Sequence, residues 1–171
     1  MRPQSGRKMG ITITADSIRQ ALHDVKDPEI PVVSIVEMGI VRNIIVTDES
    51  VTVQMTPTFS GCPALDVMRR DIAARVRQMG MDDVTVETVL YPPWTSEWIT
   101  DEAREKLRQF GLAPPPQHDG DLISVAFLDV AVCPYCGSKN TVIKNSFGPT
   151  LCRMIWYCND CQDAFEQFKP L

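Results

Sequence analysis

Six cysteines carry most of the chemistry this sequence could perform. Four fall in two Cys-x-x-Cys pairs, Cys133 with Cys136 and Cys158 with Cys161, separated by 21 residues. Each pair brings two sulfurs within reach of one ion, and two pairs complete a tetrahedron. The expectation is a four-thiolate metal site in a small C-terminal ribbon. Zinc is the default occupant, because a closed four-thiolate site needs no open position. Iron or an iron–sulfur cluster uses the same ligand set.

Cys62 follows Gly61 and precedes Pro63, at the expected cap of a helix. The helix dipole and free N–H groups there would favour thiolate over thiol. Such a thiolate could be a nucleophile, a redox group or a ligand for a transferred metal; equally, it could be a small buried cysteine. Asp27, Glu29 and Glu37 surround a proline-constrained loop. They could join Cys62 as hard ligands for iron, or Asp27 and Glu29 could simply make turn hydrogen bonds to backbone N–H groups. Cys152, six residues before the second knuckle, reads as an additional thiol near the ribbon site or as a buried ribbon cysteine. A Cys–His hydrolase would need a base. His23 and His118 are the two histidines of the chain, and neither is suitably placed.

The elements that must position these groups follow from periodicity. A helix is expected over 15–25, capped by Thr14, with Ile18, Leu22 and Val25 on one face. Asp27-Pro28-Glu29-Ile30-Pro31 should be an extended or turned loop. Segments 44–47 and 51–56 read as a hairpin with Val51, Val53 and Met55 inward. A second helix should open at Pro63 and carry a stripe of Leu65, Met68, Ile72, Val76 and Met79. A strand is expected over 84–90. A third helix should run on from 95–98, placing Ala103, Leu107 and Phe110 on one face. Ribbon strands are expected at 140–145, 153–157 and 164–168.

The fold class expected is α+β: a small α/β sandwich followed by a four-Cys zinc-ribbon-like β domain. The division is a disordered arm over 1–13, a first domain with its trailing helix over 14–111, a Pro-rich linker over 112–121 and the ribbon over 122–171. A ribbon of about 40 residues buries too little apolar surface alone, so metal ligation should supply stability. The net charge of −5 over 171 residues disfavours nucleic acid as the main partner. There is no apolar run of membrane-spanning length and no signal-peptide pattern, and metal spacing rather than disulfide spacing fits a reducing cytoplasm.

Three further stretches carry a resemblance. Asp27-Pro28-Glu29-Ile30-Pro31, Glu37-Met38-Gly39-Ile40-Val41 and Thr56-Pro57-Thr58-Phe59-Ser60-Gly61-Cys62-Pro63 resemble the metal–sulfur cluster assembly domain, whose family includes bacterial SufT-type proteins and eukaryotic iron–sulfur targeting factors. Pro92-Pro93-Trp94-Thr95-Ser96-Glu97-Trp98, Cys133-Pro134-Tyr135-Cys136-Gly137-Ser138 and Phe147-Gly148-Pro149-Thr150-Leu151-Cys152 are similar to its PaaD-like (PaaJ) branch. The resemblance implies an accessory protein of aerobic phenylacetate catabolism rather than an enzyme. Such a protein would help mature the iron or iron–sulfur centres of the multicomponent phenylacetyl-CoA 1,2-epoxidase. The alternative is a stoichiometric docking subunit of that oxygenase. The implied partners are subunits of the epoxidase or its reductase, and the iron–sulfur assembly machinery. A homodimer is conceivable from relatives of the first domain. The family's reactive thiol corresponds to Cys62, its acidic loop to Asp27, Glu29 and Glu37, and its ribbon ligands to Cys133, Cys136, Cys158 and Cys161, with Cys152 additional.

Overall fold

Thr14 starts the first helix as expected. In the computed structural model its hydroxyl accepts from Ser17 N at 3.1 Å, and its own N–H donates to Ser17 Oγ at 2.9 Å. Two N–H groups that a helix start leaves without partners are thereby satisfied. The structure describes residues 13–59, 61–117 and 130–170. The arm expected over 1–13, except Ile13, lies outside them, as do Ser60 and His118. Helix α1 spans Ala15–Ala21 and tightens into a 3-10 turn at Leu22–Asp24. Ile18 and Leu22 are fully buried.

The Asp-Pro-Glu loop is more regular than its prolines indicate. Strands β1 (Lys26–Asp27) and β2 (Ile30–Ser34) pair antiparallel around Pro28-Glu29. Asp27 Oδ1 closes the turn by accepting from the N–H of Glu29 at 2.8 Å and of Ile30 at 3.3 Å. Pro31 is tolerated because its side chain is exposed in a sheet of only two strands.

The main sheet has the order β3-β4-β5. Strands β3 (Val41–Val46) and β4 (Ser50–Met55) form the expected hairpin, and β5 (Asp83–Thr88) pairs parallel to β4. The parallel pairing requires a crossover, which helix α2 (Leu65–Arg77) provides. Val51, Val53 and Met55 turn inward with no exposed surface, against Met68, Ile72 and Val76 of α2. Each such side chain stabilises the fold by about 1.5–3 kcal/mol through burial. Helix α3 (Asp101–Gln109) is capped by Thr100, whose hydroxyl accepts from Ala103 N, and buries Ala103 and Leu107.

Around the third helix, two details differ from the sequence reading. Segment 95–98 is a separate 3-10 turn (Ser96–Trp98), because Ile99 is extended and breaks it from α3. Phe110 is 48% exposed. Its helical period is correct, but the chain reverses at Gly111 (φ +87), and Leu112 takes the buried place instead.

That reversal joins the two lobes. Leu112–Ala113 forms β6, which pairs parallel with β9 (Ala164–Phe168). Strand β8 (Arg153–Cys158) lies between β9 and β7 (Thr141–Asn145), so the ribbon sheet has the order β6-β9-β8-β7. The first residues of the segment expected to be a linker therefore belong to the ribbon sheet. Its Pro115 is also pinned, since buried Arg104 donates to the carbonyls of Pro115 at 2.6 Å and Ser96 at 2.7 Å. Phe168 and Cys152 join the hydrophobic core of the first lobe. Trp94 meets Phe168 with ring centroids 5.6 Å apart, and its indole N–H donates to Met38 O at 2.8 Å. Among the described residues, no helix is long and apolar enough to cross a membrane.

Candidate metal centre and the cleft between the lobes

The two knuckles share one backbone design. The N–H of Gly137 donates to Cys133 O at 2.9 Å, and that of Gln162 to Cys158 O at 3.0 Å. The N–H of Cys133 donates to Ser138 O, and that of Cys158 to Asp163 O, both at 2.9 Å. Each turn needs a left-handed residue directly after its second cysteine. Gly137 (φ +76) supplies one without strain, whereas Gln162 (φ +63) carries a side chain there.

These turns bring the Sγ atoms of Cys133, Cys136, Cys158 and Cys161 within 4.8 Å of one another. Cys133 and Cys161 stand 3.7 Å apart, and Cys136 and Cys158 3.5 Å. A tetrahedron of thiolates about 2.3 Å from one ion has edges of about 3.8 Å, so the donor set fits a closed zinc-type site. Backbone N–H groups of Cys161 and Asp160 lower the Cys158 thiol, while burial and the neighbouring sulfurs raise those of Cys136 and Cys161, so the deprotonated charge settles first on Cys158. Ser138 and Asn140 side chains bond the Asp160 carboxylate and tie one knuckle to the other.

Cys62 sits apart from this centre, in a turn between β4 and α2. The structure corrects its expected position: the helix cap is Ala64, so Cys62 precedes the cap by two residues. The expected thiolate bias also fails. Burial pushes the Cys62 thiol up, and the charges of Glu29 and Asp27 add to that; the N–H groups of Ala64 and Leu65 pull the other way and are outweighed. The thiol is partly exposed. It lines a cavity of about 230 Å³ together with Glu29, Thr58, Phe59, Pro149 and Cys152.

Cys152 had two readings, a thiol beside the ribbon metal site or a buried ribbon cysteine; it is buried, and the first reading is corrected. It stands outside the four-thiolate cluster, in the cleft between the lobes. It is 9% exposed, with its Sγ 3.1 Å from Thr150 Oγ1 and 3.8 Å from Glu29 Oε2. Burial raises its thiol as well, with the charges of Glu29 and Asp27 contributing in the same direction. Arg153 locks this junction by donating to Glu29 O at 2.6 Å while pairing with Glu166 at 2.8 Å.

The three loop carboxylates go separate ways. Asp27 closes its turn, and burial raises its carboxyl. Glu29 alone of the three lines the cavity. Glu37 is 5% exposed and faces α3, where it pairs with the Lys106 ammonium and accepts from Ser34 N at 2.8 Å. Burial raises its carboxyl, but Lys106 and Ser34 outweigh that and hold it at about 2. Lys106, Arg153 and Arg104 do not stand out in the sequence, because their partners lie far away along the chain.

Comparison with known proteins divides the chain the same way. Residues 15–88 match the family model described as iron–sulfur cluster assembly protein, and residues 126–169 that of the PaaD zinc beta ribbon domain. A putative 1,2-phenylacetyl-CoA epoxidase subunit of Escherichia coli is 38% identical over 149 residues, covering 86% of this chain and 88% of that protein. An Fe-S protein maturation auxiliary factor of Porphyromonas gingivalis is 34% identical over 96 residues, 55% of this chain and 90% of that protein. Among solved structures, a conserved hypothetical protein from Thermotoga maritima matches 58% of this chain and 98% of its own, with 33% identity and a TM-score of 0.51. A domain of unknown function from Bacillus anthracis matches 54% and 90%, with 26% identity and the same TM-score. An assembly-type lobe, a four-thiolate ribbon and near full-length similarity coincide in one chain, which therefore belongs to the PaaD family, an iron–sulfur cluster assembly domain joined to a zinc β-ribbon.

Proposed function

We propose that this chain is an accessory factor of aerobic phenylacetate catabolism that helps load iron or an iron–sulfur cluster into the phenylacetyl-CoA epoxidase or its reductase. The single observation that carries the reading is Cys62: a partly exposed thiol in a cavity, outside the closed four-thiolate cluster. A transfer site needs a donor that its own protein has not saturated, and Cys62 meets that requirement. The ribbon thiols, already mutually arranged, act as the structural zinc site and hold the second lobe in shape. Asp27 and Glu29 add negative charge beside the thiol and favour a cation as cargo. The protein acts in the reducing cytoplasm, where these thiols stay free.

The test is replacement of Cys62 by Ser in cells that depend on the epoxidase. The expected result is soluble, correctly folded protein with epoxidase and reductase deficient in iron. Full iron content and full epoxidase activity would refute the carrier role. A second reading, a stoichiometric docking component of the oxygenase, is favoured by the Escherichia coli relative, which is named as part of an epoxidase. It requires this chain to remain with active epoxidase through purification, whereas a maturation factor is dispensable once the metal centres are in place.

A further inference from the structure

We propose that Cys62, Cys152 and Glu29 together form a metal site that spans the two lobes and takes a thiophilic divalent cation, iron(II) as cargo. The inference rests on the carrier reading above and adds a second thiol and a second lobe to it. Three separate segments supply the donors. Glu29 comes from the β1–β2 turn, Cys62 from the turn before α2, and Cys152 from the ribbon turn ahead of β8. All three line the same cavity of about 230 Å³, enough for one ion and several waters.

The donors carry few other bonds: the Cys152 thiol also lies 3.1 Å from Thr150 Oγ1, and the N–H groups of Ala64 and Leu65 face the Cys62 sulfur. Glu29 is anchored through its backbone, its N–H to Asp27 and its carbonyl to Arg153. Among the described residues, the partner of its carboxylate is the Cys152 thiol at 3.8 Å. Pro63, Pro149, Leu151 and Phe59 form apolar walls that limit water around the donors. Two sulfurs and one carboxylate form a mixed soft and hard set suited to iron(II), zinc(II) or cobalt(II), and they leave a coordination position for an acceptor's ligand. Among the described residues only the ribbon thiols already lie within 4.8 Å of one another, so the turn carrying Cys62 must draw in as the cation binds. The step balances simply. Two thiols each lose a proton to solvent, the cation gains two thiolates and a carboxylate, and nothing is oxidised or reduced.

The assay uses the full chain holding one zinc, titrated anaerobically with cobalt(II). The expected result is a second metal per chain with intense thiolate-to-cobalt charge-transfer absorption, while metal analysis shows the zinc retained. Cobalt-edge X-ray absorption on the wild-type protein should count two sulfur ligands, a readout that needs no variant to fold. Cys62→Ser and Cys152→Ser should each weaken the second site by at least about tenfold and leave the zinc in place. If Cys62→Ser removes the second metal and Cys152→Ser does not, or if one sulfur is counted, the two-lobe site is overturned and the carrier reading survives. If wild-type protein takes no second equivalent, or both variants bind it as the wild type does, the site is overturned and the carrier reading loses its metal-binding support.

Discussion

Replacing Glu37 by Gln gives the sharpest check on how this structure uses its carboxylates. The side chain is 6% exposed, and its partner Lys106 is 42% exposed. Lys106 and Ser34 lower the Glu37 carboxyl from 4.5 to about 2. At about 1.4 kcal/mol per unit, that shift sets a ceiling of about 3 kcal/mol. Solvent around Lys106 screens the pair, so the expected loss in Glu37→Gln at pH 7 is about 2 kcal/mol. The folded value lies below the unfolded one, so the stabilisation is complete above pH 4.5 and disappears as pH falls towards 2. The assay is urea denaturation of both proteins from pH 7 to pH 3.5, each pair compared at one pH so that protonation of the ribbon thiols cancels. The penalty should hold steady down to about pH 5 and then shrink, with roughly 40–60% left at pH 3.5. A penalty independent of pH, or one below about 0.5 kcal/mol throughout, would refute the ion-pair account and reopen Glu37 as a free loop carboxylate.

Three further outcomes are expected. Gly39→Ala should cost about 2–5 kcal/mol, because φ is +67 and the new Cβ would lie 2.5 Å from Trp98 Cβ; Gly80→Ala, at φ +100 in open space, should cost only the backbone strain, and equal melting shifts would refute the steric argument. Gln162→Gly should raise stability by about 0.5–1 kcal/mol and slow zinc release to a chelator, since the left-handed site no longer carries a side chain; an unchanged melt would refute it. Removing the metal with a chelator should abolish the ribbon's protection from hydrogen exchange while most of the β3-β4-β5 sheet keeps its own, because their cores are largely separate clusters; simultaneous loss of both would refute that division.

Local pattern carried much of the architecture. The alternation of Val51, Val53 and Met55, the stripe of Met68, Ile72 and Val76, and the paired cysteines each report on neighbours within a few residues, where periodicity and spacing are decisive. The candidate site was legible only in pieces. Cys62 stood out by its loop, but its environment depends on Glu29 and Cys152, which lie 33 residues upstream and 90 downstream. Cys152 looked like ribbon chemistry because of its nearness to Cys158, whereas the turn before β8 points it at the other lobe. Glu37 read as part of an acidic loop, and the cation that claims it sits on α3. Leu112–Ala113 had too few residues for a strand period, and the following prolines concealed the pairing.

The contact of Trp94 with Phe168 links residues 74 positions apart, and it sits in the core of the first lobe. During synthesis that lobe emerges first, yet its core remains open at Trp94 until the chain has been made through Phe168. The cleft with Cys62 and Cys152 is therefore absent from any nascent form that ends before β9. A half-made protein offers only the Cys62 turn, so the two-lobe site is restricted to chains whose ribbon has already been made and docked.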